Sequence, residues 1–230
     1  MPIINLVYEA PREWKPWENT VAYYPLEKDT NDYSWNNRNL TNSWITFDGG
    51  VWVFNGNAIW YYTNNSLWNN LNNFTYSVYV NPSSIASWTY NTTEYNANRI
   101  ISIIQNGDIK TYDKTLSLSN SSRAQWYNYY NWLYLVYASW ISINTWYYLT
   151  YTFNGNMMKI YKNWILEQSL ACWWSYTWYT QATLCVWNNT DYNQIKKYYG
   201  KISNVIIEDK ARTAQEVLNY YNQTKSNYWL

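Results

Sequence analysis

Asn144-Thr145-Trp146-Tyr147-Tyr148-Leu149-Thr150-Tyr151-Thr152-Phe153-Asn154-Gly155-Asn156 is the stretch that decides the fold. Trp146 to Phe153 is rich in aromatic, Leu and Thr residues, the types that suit a pleated strand. Asn154-Gly155-Asn156 then supplies hairpin chemistry. Met157 to Lys162 returns, Asn163-Trp164 turns the chain again, and Ile165 to Ser169 leaves. Three antiparallel strands follow from this one segment.

The same rhythm extends outward. Val21-Ala22-Tyr23-Tyr24-Pro25-Leu26 reads as a first strand with proline marking an edge or an end. Val51 to Phe54 and Ala58 to Tyr62 flank Asn55-Gly56-Asn57, which predicts a hairpin. Phe74 to Val80 alternates, placing Phe74, Tyr76, Val78 and Val80 on one face. Arg99 to Gln105, Ile109 to Tyr112, Leu116 to Leu118, Ala182 to Val186 and Lys201 to Glu208 complete the predicted strands. Only the end reads as helix: Thr213 is an N-cap, Glu216 closes a capping box, and Val217, Leu218 and Tyr221 form the apolar stripe. Short strands about 8–12 residues apart with one terminal helix predict an all-β, two-sheet antiparallel sandwich.

Residues 1–19, with Pro2, Pro11 and Pro16, read as a lead-in; 20–224 form one domain and 225–230 a tail. The net charge of +1 with 13% charged residues gives no basic face for nucleic acid. No segment reaches the roughly 20 apolar residues of a membrane span, and Met1 to Leu6 carries no basic, apolar leader pattern. The chain contains no histidine, which excludes Ser-His-Asp and Cys-His chemistry and nearly every zinc enzyme. Cys172 and Cys185 stand either as buried free thiols, the simpler reading, or as a disulfide between neighbouring strands.

Three segments in order resemble the laminin-G-like (concanavalin A-like lectin/glucanase) jelly-roll family. Ala22 to Leu26 with Asp32-Tyr33-Ser34-Trp35-Asn36-Asn37 is similar to its opening strand and Asp-x-Ser-Gly-Asn loop. Asn144 to Gly155, continued by Met158 to Asn163, is similar to its central strand pair. Tyr199 to Ile207, then Ala211 and Thr213 to Val217, is similar to its last strand and closing helix. The resemblance implies a jelly roll, often with calcium at the rim, and it directs attention to Asp29 and Asp32 as hard-oxygen ligands; an Asx-turn is the alternative for the same residues. Related glucanases carry a Glu-x-Asp-x-(x)-Glu strand, but here Glu167 stands alone and Glu208 and Asp209 are adjacent, hence on opposite faces.

The departures from the family are concentrated in one residue type. The chain has 18 Trp and only 6 Gly. Trp35, Trp52, Trp164 and Trp187 stand where the family has glycine, and Trp44, Trp68, Trp140, Trp173, Trp174 and Trp178 occupy similar polar, turn-like settings; Trp146 matches a family tryptophan. Either these rings are stacking platforms for sugars, or the gene reads UGA as glycine and its conceptual translation has written tryptophan. The second reading accounts for the Trp surplus and the Gly deficit with a single cause.

The expected function is therefore a non-enzymatic ligand-binding or adhesion module, recognising glycan on a bacterial surface or phage tail. The alternative is a structural or decoration domain of a virion or surface protein. A glycan or a surface protein is the expected partner, with homo-oligomers allowed, and the expected location is an extracellular surface or virion.

Overall fold

The computed structural model describes residues 18–43, 46–55, 59–64, 73–85, 98–105, 113–119, 123–130, 132–172, 182–186, 198–228 and 230. In chain order the strands begin with β1 (Thr20–Tyr24), β2 (Thr41–Ser43), β3 (Thr46–Asp48), β4 (Val51–Asn55) and β5 (Ile59–Asn64). They continue with β6 (Phe74–Pro82), β7 (Asn98–Gln105), β8 (Asp113–Ser119), β9 (Arg123–Tyr130) and β10 (Trp132–Ala138). β11 (Tyr147–Phe153), β12 (Met157–Lys162), β13 (Ile165–Ala171), β14 (Ala182–Val186) and β15 (Tyr199–Glu208) precede the helix α1 (Ala214–Thr224) and a 3₁₀ turn at Lys225–Tyr228.

The front sheet runs β13-β12-β11-β6-β15-β4-β3, with β1 also paired to β15. The back sheet runs β10-β9-β8-β7-β14-β5-β2. The strand pairings are antiparallel, for example Phe74↔Phe153, Tyr76↔Tyr151 and Val78↔Leu149 between β6 and β11. This is the expected two-sheet jelly-roll sandwich with one short C-terminal helix.

The predicted alternation in β6 points Phe74, Tyr76, Val78 and Val80 into the space between the sheets. Trp126 of β9 reaches across from the back sheet and stacks on Tyr76 at 4.7 Å and Tyr151 at 4.1 Å. The other face of β6 and β11 is covered too. Tyr79, Tyr148, Tyr161 and Ile206 pack against Val217, Tyr220, Tyr221 and Tyr228 of the C-terminal segment. That second layer explains why β6 and β11 are buried on both faces although one face carries Thr75, Ser77, Thr150 and Thr152.

The helix is fixed by its capping box: Thr213 accepts from the Glu216 backbone N–H while Glu216 accepts from the Thr213 N–H at 2.8 Å. Just before it, Arg212 forms a buried 2.5 Å ion pair with Glu208 at the end of β15. The Arg212 backbone N–H also donates to Thr75 Oγ1 at 2.9 Å, tying the helix entry to β6. The buried helix stripe is Val217, Tyr220 and Tyr221, so Tyr220 takes the place predicted for the half-buried Leu218.

One expectation is corrected. Val51 to Phe54 and the strand after Asn57 do not form a hairpin: β4 pairs with β3 and β15 in the front sheet, whereas β5 pairs with β2 and β14 in the back sheet. The chain crosses between sheets there. Trp52, where the family has glycine, is within the predicted strand Val51 to Phe54. It lies inside β4, fully buried, with its ring edge-on to Phe47 at 4.4 Å. The predicted strand Ile109 to Tyr112 lies outside the described residues, as do residues 1–17 of the lead-in.

Candidate functional site

The loop that follows β1 is organised by one carboxylate. Asp32 is buried, and its Oδ1 accepts from the backbone N–H groups of Tyr23 (2.9 Å) and Ser34 (2.8 Å). Its Oδ2 accepts from Ser34 Oγ (2.8 Å) and from the Arg38 N–H (2.8 Å). The Asp32 N–H in turn donates to Asn39 Oδ1 at 2.9 Å. A short Asp/Ser pattern folds this way because such side chains satisfy backbone donors two or more residues on.

Around that centre the loop is sewn to β1. The Tyr33 N–H donates to Tyr23 O at 2.8 Å, and Asn36 Nδ2 donates to Thr20 O and Val21 O, each at 3.0 Å. The Arg38 guanidinium also donates to Val21 O, and Tyr24 OH to Arg38 O at 2.8 Å. Leu40 N–H closes the loop on Thr30 O at 3.0 Å.

With Asp32 and Ser34 turned inward, the alternating positions Asn31, Tyr33 and Trp35 face solvent. Tyr33 is 42% and Trp35 84% exposed. Asp29 sits beside them: its Oδ1 accepts from the Asn31 N–H, and its Oδ2 from Asn31 Nδ2 and Tyr33 OH, each at 3.0 Å. Partial burial first, and then the Asp29 carboxylate, hold the Tyr33 phenol above its ordinary value. The phenol therefore stays a neutral donor across the physiological range.

The two carboxylates expected to hold calcium thus share one loop but have different jobs. Asp32 accepts four N–H or O–H donors, which fill both oxygens; a cation would have to displace them. Asp29 is the more open of the two. Among the described residues no three His, Cys, Asp or Glu side chains converge to hold a metal.

Among the described residues the other buried or half-buried carboxylates are also engaged. Glu208 lies under the helix with Arg212, and burial raises its carboxyl above the ordinary range although Arg212 opposes the shift. Asp209 is exposed, so the adjacent pair does face opposite ways. Glu167 pairs with Lys162 at 3.2 Å and accepts from Ser139 Oγ at 3.1 Å. This Lys162–Glu167–Ser139 cluster joins the front sheet to the end of β10, aided by a Tyr137 N–H bond to Gln168 Oε1 at 2.8 Å.

That seam is flanked by a second group of exposed apolar residues: Tyr137, Trp140, Ile143, Trp164, Ile165 and Leu166. The Arg123 guanidinium covers the Tyr137 ring at 4.6 Å from its centroid. Ser203 and Asn204 of β15 bind inward: Tyr23 OH donates to Asn204 Oδ1 at 2.9 Å, and Tyr228 OH to Ser203 Oγ at 2.8 Å. Cys172 is fully buried. Trp44, Trp68, Trp173, Trp174, Trp178 and Trp187 lie outside the described residues, as does the side chain of Cys185.

Comparison with known proteins supplies the family. The sequence profile described as the concanavalin A-like lectin/glucanases superfamily matches residues 55–218. No curated protein matches the chain. Among solved structures, domain 4 of an extracellular arabinanase from Geobacillus stearothermophilus, in complex with arabinotriose, is 16% identical with a TM-score of 0.69, covering 87% of this chain and 97% of that one. The binding domain of botulinum neurotoxin serotype G is 19% identical with a TM-score of 0.68, covering 90% of this chain and 52% of that one. The botulinum neurotoxin DC binding domain in complex with SialylT is 15% identical with a TM-score of 0.69, covering 89% and 51%. This chain spans about half the length of the toxin binding domains, and at these identities the likeness is one of fold.

Proposed function

The chain belongs to the concanavalin A-like lectin/glucanases superfamily, and on that footing we propose that it is a non-enzymatic glycan-binding module of an extracellular surface. One observation carries the reading. The β1–β2 loop is locked from within by Asp32, and it presents Tyr33 beside Asp29 and Asn31 on its solvent side. A rigid aromatic ring flanked by hydrogen-bonding groups suits a sugar, whose ring has an apolar face and a polar edge.

Two further facts support it. Among the described residues the buried or half-buried carboxylates Asp32, Glu167, Glu208 and Glu216 are each engaged in structural contacts, and Asp29 bonds Asn31 and Tyr33, an arrangement that favours a structural over an acid–base role for them. The arabinanase domain of the same fold is described in complex with arabinotriose, and one toxin domain in complex with SialylT.

The test is a glycan array followed by titration of any hit, with Tyr33→Ala alongside the wild type. Loss of the stacking ring should weaken binding by up to about tenfold. Clean negatives on the array would favour the structural or decoration role instead.

A further inference from the structure

We propose that positions 140 and 164 are glycine in the natural polypeptide, with UGA as their codon, and that the seam they flank is therefore not a sugar-stacking platform. Seven non-glycine residues among those described have positive φ: Leu26, Asn37, Trp140, Asn144, Asn163, Trp164 and Asn204. Four are asparagines, which tolerate the left-handed region. Leu26 is buried in the core, so packing offsets its strain. The two tryptophans have no such compensation. Trp140 is 81% and Trp164 43% exposed.

The turns themselves impose the conformation. β12 ends at Lys162 and β13 starts at Ile165, leaving Asn163-Trp164 as a two-residue loop with φ of 47° and 73°. Positive φ at both central residues is the type I′ signature, whose preferred sequence is Asn-Gly. The Asn163 side chain reinforces it, since its Oδ1 accepts from the Tyr148 N–H at 2.9 Å. Trp140, at φ 55°, is held from both sides: Ser139 is bonded to Lys162 and Glu167, and Ile141 is buried. At both positions the surroundings fix a backbone that glycine adopts freely and tryptophan does not.

Lys162 also places the two positions at one seam, because its Nζ donates to Ser139 O at 2.5 Å. Restoring glycine removes both indoles from that surface together. The composition of 18 Trp against 6 Gly is the chain-wide trace of the same substitution. Trp126, stacked in the core, and Trp146, packed against Tyr228 at 4.9 Å, lie outside the inference.

The inference does not depend on the glycan reading, and its test separates the two. Peptide mass spectrometry of the protein from its source cells should read glycine at 140 and 164, with UGA in the gene; tryptophan encoded by UGG at either position overturns it. Recombinant Trp140→Gly/Trp164→Gly protein should melt about 4–16 °C above the tryptophan form; an equal or lower Tm counts against it. On the glycan array both forms should give the same pattern, and loss of a hit in the glycine form would restore the seam as a platform.

Discussion

Asp32→Asn is the sharpest probe of the loop on which the proposed site rests. The substitution keeps the volume of the side chain but replaces one acceptor oxygen with an amide that can only donate. Whichever way the amide turns, it faces donors: the Tyr23 and Ser34 N–H groups on one side, Ser34 Oγ and the Arg38 N–H on the other. The Ser34 hydroxyl can rotate, so the second orientation is the less costly. Two charge-assisted bonds are lost or weakened, each worth about 1.5–3 kcal/mol. The lower end of that range gives about 3 kcal/mol, or a fall in Tm of roughly 6–12 °C for a chain of this size. Urea unfolding followed by tryptophan fluorescence, in calcium and in EDTA, measures both the loss and any dependence on metal. Wild-type unfolding should be the same in the two buffers. A variant within about 0.5 kcal/mol of wild type, or a wild-type midpoint that rises with calcium only when Asp32 is intact, would refute the reasoning and return Asp32 to the ligand role its sequence suggests.

Gly200 and Glu216 supply two independent checks. A Cβ at Gly200 would lie 2.3 Å from Asn81 O and 2.7 Å from Pro82 Cα, both backbone atoms, at a φ of 138°. Gly200→Ala should therefore destabilise by at least about 2 kcal/mol, whereas Gly50→Asn in an open turn should change Tm little; equal behaviour of the two would disprove the close strand approach. At Glu216, slight burial pushes the carboxyl up, but Lys210 and Thr213 outweigh it and hold it below the ordinary value. A depressed carboxyl contributes stability above its unfolded pKa of about 4.3. That contribution disappears as pH falls through the lower folded value. The Tm gap between wild type and Glu216→Gln should be open at neutral pH and close in acid, and a gap independent of pH would show that the capping carboxylate is not the source.

Much of the fold is legible because local patterns and tertiary burial agree. Phe74 to Val80 alternates and does face the core with alternate residues; Thr213 and Glu216 form the capping box; Ala182–Val186 is a strand with the predicted limits. The failures have physical causes. Asn55-Gly56-Asn57 has hairpin chemistry, yet in a sandwich the same chemistry also serves a crossing from one sheet to the other, and only the partners β15 and β14 decide between them. β9 and β10 are missed because Arg123–Tyr130 and Trp132–Ala138 run together with one residue between them. Trp52 shows the limit of reasoning from position: it departs from the family's glycine, but its place in β4 buries the ring.

The site was half legible for the same reason. An Asp-x-Ser pattern has two stable uses, as a cation ligand and as a clasp for backbone N–H groups, and residue types alone do not choose between them. Ser34 supplies two of the donors from within the pattern, and the clasp is completed from outside it by the Arg38 N–H six positions on and the Tyr23 N–H nine positions back on β1. Once those donors are in place, Asp32 and Ser34 are turned inward and Tyr33 between them is left facing solvent. The buried clasp and the exposed ring are consequently one feature. A glycan site built on Tyr33 should therefore weaken with Asp32→Asn through loss of the loop's geometry, because Asp32 is buried and acts on the ring only through that loop.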